Sequence, residues 1–153
     1  MGTVTYPSPA VQDFLDEHFV CAKVNEKDPT TSGRTFLTRY RLLWTPGFVF
    51  LDPRGAELRR QVGFLPPAEF VAEARIALGK IASLYGDHAT AADHFVRAAD
   101  QGSAEIAAEA LYWAGIEIWR RDGRRIEVVR SEWEKLRQRF PKSTWWMRAD
   151  VFE

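Results

Sequence analysis

The rhythm of apolar residues changes once along this 153-residue chain, at Gly63 and Pro66-Pro67, and that change limits the folds open to it. From Ala68 to Tyr85, residues Phe70, Val71, Ala74, Leu78, Ile81 and Tyr85 recur at three-four spacing, which predicts a long helix with one buried stripe. Everything beyond it reads as helix. Before the break, short β-branched and aromatic runs alternate with brief helical patterns, as expected of a mixed α/β segment. The expected organisation is a mixed part over residues 1–80 and a helical part over residues 81–153, sharing the helix 68–85.

In the mixed part, Ser8-Pro9 supplies a capping hydroxyl and a proline suited to a first helical turn. Val11, Phe14, Leu15 and His18 follow at helical spacing, in a helix expected to end near Glu17. Phe19 to Asn25 is apolar enough to be a strand covered on both faces, as in a parallel sheet, with Cys21 in its middle. Glu26 to Gly33 reads as a loop and Arg34 to Tyr40 as a short helix. Gly47 to Leu51 is a strong strand, Asp52-Pro53-Arg54-Gly55 a tight turn, and Ala56 to Val62 a return strand. Glu57, Arg59, Arg60 and Gln61 place that return strand at an edge.

The helical part repeats itself. Gly86, Ala91, Phe95 and Ala98 are matched 38 residues later by Arg124, Val129, Trp133 and Leu136. With Leu78-Gly79 upstream and Pro141 downstream, this pattern resembles the tetratricopeptide repeat, in which small residues let paired helices approach and an aromatic fills the crevice. Ala114-Gly115 lies two residues early, which implies a longer turn around Arg120 to Gly123, and Arg124 stands where glycine is usual. An ordinary pair of antiparallel helical hairpins is the alternative. Trp113 and Trp133 fall on apolar stripes and are expected in the core; of Trp145 and Trp146, about 100° apart on a helix, one is expected to be exposed or to cap the repeat end. From Ser143 onward the chain reads as a capping helix or a dimer contact.

Lys plus Arg and Asp plus Glu both total 21, which fits neither a generally basic nucleic-acid binder nor an acidic tail. Residues 118–153 carry ten basic against six acidic side chains and residues 67–117 three against eight, an asymmetry that reads first as solvated helical faces. Arg120, Arg121, Arg124 and Arg125 cluster at a turn but lack a broader basic surface, so no nucleic-acid partner is expected. His18, His88 and His94 have no metal-ligand spacing, and no phosphate loop or nucleophile-base motif is present; no metal, cofactor or catalytic residue is expected. No apolar run approaches a membrane span and the first residues form no leader, so the expectation is a cytoplasmic chain with no membrane partner.

Phe19 to Leu78 resembles the C-terminal two-thirds of a thioredoxin domain. Phe19–Asn25 corresponds to the strand after that fold's first helix, Thr45-Pro46 to its cis-proline loop, and Asp52–Gly55 to its hairpin turn; Tyr6 to Val11 resembles the stretch before that strand in larger relatives. The fold class implied is α/β, an incomplete thioredoxin-like sheet with C-terminal α-helical tetratricopeptide-like repeats. In the family, a strand feeds a Trp-Cys-x-x-Cys motif at a helix start, where the first thiol's pKa is lowered for attack on a disulfide. Met1 would align after those cysteines, and the single cysteine, Cys21, would lie in the sheet interior as a small buried hydrophobe.

The resemblance leaves a vacancy between strands 19–25 and 47–51, which need a partner for their backbone groups. Three remedies exist: a start upstream of Met1 that supplies the strand and the CxxC motif, direct pairing of the two strands in a rearranged sheet, or a strand from another chain, as in a homodimer that completes the sheet. The first is expected of the natural gene, and rearrangement or oligomerisation of the chain as it stands. Thr45 and Pro46 are the implied substrate or peptide contacts. The functional expectation is a redox-inactive thioredoxin-like protein that binds a protein or peptide partner through its helices. The alternative is a thiol-disulfide oxidoreductase whose CxxC site lies upstream.

Overall fold

The computed structural model describes residues 1–25, 27 and 31–150, and divides into two compact units, Met1–Pro67 and Ala68–Glu153.

In the first unit, Met1–Tyr6 forms turns pinned by Thr5, whose fully buried hydroxyl donates to the Leu65 carbonyl at 2.6 Å. Helix α1, Pro9–His18, starts with Ser8 at the N-cap and proline in its first turn, and buries Val11 and Phe14; the Ser8 hydroxyl makes no capping bond, contrary to expectation, and it is the Ser8 carbonyl that accepts from the Val11 and Gln12 amides. Helix α2, Thr31–Tyr40, begins three residues before the sequence expectation of Arg34, taking Thr31 to Gly33 from the predicted loop; residues 26 and 28–30 of that loop lie outside the described residues. Strands β1, Gly47–Leu51, and β2, Glu57–Val62, form an antiparallel hairpin. Asp52 builds its turn: one carboxylate oxygen accepts from the Arg54 and Ala56 amides at 2.9 and 2.7 Å, and Gly55 takes a φ of +80° that glycine adopts without penalty. The Tyr40 hydroxyl donates to the Gly55 carbonyl and ties α2 to the turn.

Two expectations fail here. Phe19 to Asn25 is no strand, and the sheet among the described residues has two strands only. Strand character requires a ladder partner as well as apolar sequence, and this segment has none. Its burial pattern follows: Val20 is fully exposed and Cys21 is exposed, not interior, while Phe19 turns its ring toward Phe50 at 5.7 Å.

In the second unit, helix α3, Pro67–Leu84, is buried on several faces rather than along one stripe. Phe70, Val71, Ala72, Ala74, Ile76, Ala77 and Gly79 are all inaccessible. Ala72 and Ile76 join Ala91, Phe95 and Ala98 of α4, His88–Gln101, and Ala107, Ala110 and Ala114 of α5, Ala104–Arg121, in one cluster. On its other side α5 meets α6, Ile126–Arg139, where Val129, Trp133 and Leu136 close over Ala108. Helix α7, Thr144–Ala149, packs on α5 and α6, with Trp145 and Trp146 both half-buried against that second cluster, so neither ring is exposed and both cover the end of the helices.

The glycines explain how closely these helices approach. A Cβ on Gly79 would lie 2.8 Å from the Phe95 ring, and one on Gly115 2.7 Å from the Trp133 ring. The turns that follow are also alike: Asp87 N–H bonds the Ala82 carbonyl past Gly86, and Arg124 N–H bonds the Trp119 carbonyl past Gly123. Gly86 and Gly123 have φ of +79° and +82°, so Gly123, not Arg124, does the work of Gly86. Of the two extra residues in the second hairpin, one lengthens α5 and one, Arg124 at φ +60°, lengthens the turn.

Candidate functional site

Thr45 and Pro46 are joined by a cis peptide bond at the head of β1. Thr45 is exposed, and the Pro46 carbonyl accepts from Gly63 N–H at 2.8 Å, which anchors the start of the hairpin ladder. Apolar side chains crowd this end of the hairpin: Leu43 is 90% and Trp44 72% exposed on the approach to β1, with Val62 and Phe64 exposed on the opposite strand end. The place is accessible and apolar, suited to an extended chain.

Cys21 is the chain's only cysteine. Partial burial of the thiol, and secondarily the negative charge of Asp16, push its pKa up. A raised pKa reduces the thiolate fraction that attacks a disulfide, the reverse of what an exchange site requires.

The second unit offers an open groove of about 460 Å³ between the start of α5 and the α6–α7 connection. Ala104, Ala108, Phe140, Pro141 and Trp145 make it largely apolar, and Glu105 and Lys142 add one charge of each sign. Tyr112 stacks on Trp133 at 5.1 Å and meets Trp145 at 5.3 Å; Trp133 Nε1 donates to the Tyr112 carbonyl, and the Arg148 guanidinium lies 4.2 Å over Trp145. Ser143 caps α7 by accepting from Trp146 N–H. One wall of the groove is thus held by aromatic contacts fixed from below.

Deeper in the same unit, Glu117 is 1% exposed and carries three hydrogen bonds. Ser83 Oγ and Arg120 Nη1 each donate to its Oε1 at 2.8 Å, and His88 Nδ1 lies 2.7 Å from Oε2. The cluster joins α3, α4 and α5. Ser83 and His88 both bind the carboxylate rather than each other, so His88 does not stand as a base to Ser83. Sequence reasoning passed over Glu117; the available signal was a carboxylate on the apolar stripe of Ala110 and Ala114, whereas its three partners come from separate helices. No set of three His, Cys, Asp or Glu side chains among the described residues is placed to hold a metal ion.

The arginine cluster is mostly engaged locally: Arg120 with Glu117, Arg121 with Asp122, and Arg124 over the Trp119 ring. Lys135 and Arg137 pair with Glu132 and Glu134 one turn away, as on a solvated face. No helix among the described residues is long and apolar enough to cross a membrane.

Residues 4–77 match the family model of the thioredoxin-like domain. The match covers just under half of the chain and supports a thioredoxin-like fold for that region. It begins fifteen residues before Phe19 and ends inside α3, so the thioredoxin-like region includes the Thr5 pin, α1 and the Thr45-Pro46 loop. No curated protein and no solved structure matches the chain significantly.

Proposed function

We propose that this chain is a protein- or peptide-binding module in which a thioredoxin-like region, without thiol chemistry of its own, accompanies tetratricopeptide-like helical hairpins. The observation that carries the reading is the paired construction of the helices: glycine against a buried aromatic, Gly79 on Phe95 and Gly115 on Trp133, each followed by a turn closed at a positive-φ glycine. Repeated helical hairpins serve recognition by presenting an open face rather than a closed catalytic pocket. The groove along Ala104, Phe140, Pro141 and Trp145 supplies such a face, apolar at its centre and charged at Glu105 and Lys142, which fits a short peptide with an apolar anchor. Thr45 and Pro46 are a second contact for an extended segment. The lone Cys21, with its raised pKa, supports the non-redox reading. Protein segments are the expected partners, a second copy of the chain among them.

The test is selection from a random peptide library on the full chain, followed by titration of the selected peptides against Ala104→Arg, a change at an exposed groove position. Peptides with an apolar anchor whose affinity falls at least about tenfold, a loss of ~1.4 kcal/mol, are expected. Affinity unchanged by the arginine overturns the groove assignment. Reduction of insulin disulfides by this chain overturns the non-redox reading.

A further inference from the structure

Among the described residues strand β1 has one neighbour, β2. Gly63 N–H bonds the Pro46 carbonyl, so in the register Gly47↔Val62, Phe48↔Gln61, Val49↔Arg60 and Phe50↔Arg59 the bonding residues alternate. Phe48 and Phe50 bond to β2, while the backbone N–H and C=O groups of Gly47, Val49 and Leu51 point off the other edge. Among the described residues nothing bonds those outward groups. The two edges of the hairpin differ in composition as well. Strand β2 carries Glu57, Arg59 and Arg60, the kind of charge that blunts a solvent edge, whereas Trp44 to Leu51 has no charge at all. Beyond β1 the edge is made like the interior of a sheet.

We infer that a second copy of this chain pairs antiparallel with β1 along this edge, about a two-fold axis at Val49, to give a four-stranded sheet in the order β2, β1, β1, β2. The outward residues 47, 49 and 51 are symmetric about Val49. Only an axis there sets all three against outward residues of the copy, Val49 opposite Val49 and Gly47 opposite Leu51, each pair exchanging both backbone hydrogen bonds. An axis at Phe48 or Phe50 leaves one outward residue of each strand without such a mate. Charge selects the same edge: two copies meeting at β2 about its outward-facing Arg60 would set that arginine opposite its own counterpart, while two copies of β1 meet with no like charges. Isologous pairing of this kind is the commonest closed assembly. The inference names one partner within the binding reading and is independent of the groove, so each fails separately.

Sedimentation equilibrium of the full chain, with Val49→Lys, Val49→Glu and an equimolar mixture of the two, tests it. Phe48 and Phe50 are the buried residues of β1 and Val49 is only partly buried, so both variants are expected to keep the hairpin, and circular dichroism and the melting transition check folding. Wild type is expected to rise with concentration from 17.5 kDa toward twice that mass. Each single variant is expected to weaken association at least about tenfold, because like charges meet across the axis, and the mixture to restore it. Peptide binding at the groove is unaffected in this outcome. A wild type that stays monomeric at high concentration, a lysine variant that dimerises as well as wild type, or a mixture that does not recover would overturn the inference.

Discussion

Which partner of the buried Glu117 cluster matters more can be decided from exposure alone. Glu117 is 1% exposed, whereas the side chains of His88 and Arg120 are 27% and 37% exposed. Changing Glu117 to Gln keeps the shape. The amide oxygen can still accept from Ser83 and Arg120, and the amide NH2 can donate to His88 Nδ1 once the imidazole carries its proton on Nε2. The arginine left behind retains solvent, so the cost is about 1 kcal/mol or less, that of exchanging a charge-assisted bond for a neutral one. Changing Arg120 to Met leaves the buried carboxylate with Ser83 and His88 as its partners. Breaking a fully buried pair costs about 3–5 kcal/mol, and with the arginine's partial solvent access discounted roughly 2–3 kcal/mol remains. In a unit the size of Ala68–Glu153, that is a fall in melting temperature of about 10 °C or more for Arg120→Met against a few degrees for Glu117→Gln. Thermal melts followed by helical circular dichroism check the order, and urea midpoints check that the slopes are equal. If Glu117→Gln is the more damaging change, the argument from asymmetric burial is wrong.

The helix contacts and the cysteine give two further expectations. Gly115→Ala gains about 1 kcal/mol of helix propensity but forces a Cβ to 2.7 Å from a buried indole, an overpacking cost of about 1–3 kcal/mol, so urea unfolding should show net destabilisation. Gly79→Ala should behave likewise, and become neutral or stabilising in a Phe95→Leu background where the obstructing ring is gone. Cys21, its pKa raised in the fold, should be alkylated by iodoacetamide more slowly at neutral pH than in the urea-unfolded chain. By linkage its contribution to stability is complete below the unfolded thiol's pKa of about 8.5 and is lost as pH rises through the higher folded value. A Cys21→Ser chain should lack that part of the alkaline limb, and equal alkylation rates in the folded and unfolded chains would refute the shift.

Local chemistry made much of this fold legible. Pro9 begins α1, Asp52 to Gly55 turns the hairpin, and the apolar rhythm from Phe70 onward marks α3, because proline, turn residues and helical periodicity act within a few positions of one another. The glycine and aromatic offsets in the helical half also pointed to pairs that touch, Gly79 with Phe95 and Gly115 with Trp133. Reading Arg124 as the counterpart of Gly86 went wrong by one position, because a hydrogen bond past Gly123, invisible in spacing, decides which residue closes the helix. The groove and the Glu117 cluster were not legible: their parts come from segments distant in sequence, and nothing in a single helix identifies its neighbours.

The segment Phe19 to Asn25 separates the two kinds of information. Its composition established that it favours extended, apolar surroundings, and a single cysteine leaves no disulfide to close within these residues. Whether such a segment becomes a strand depends on finding an edge to pair with, and here it pairs with none, so Cys21 is exposed and, among the described residues, β1 pairs on one side only. Side-chain preference is a property of each residue and its near neighbours, whereas a sheet is made of hydrogen bonds between segments, which exist only once the chain has brought those segments together.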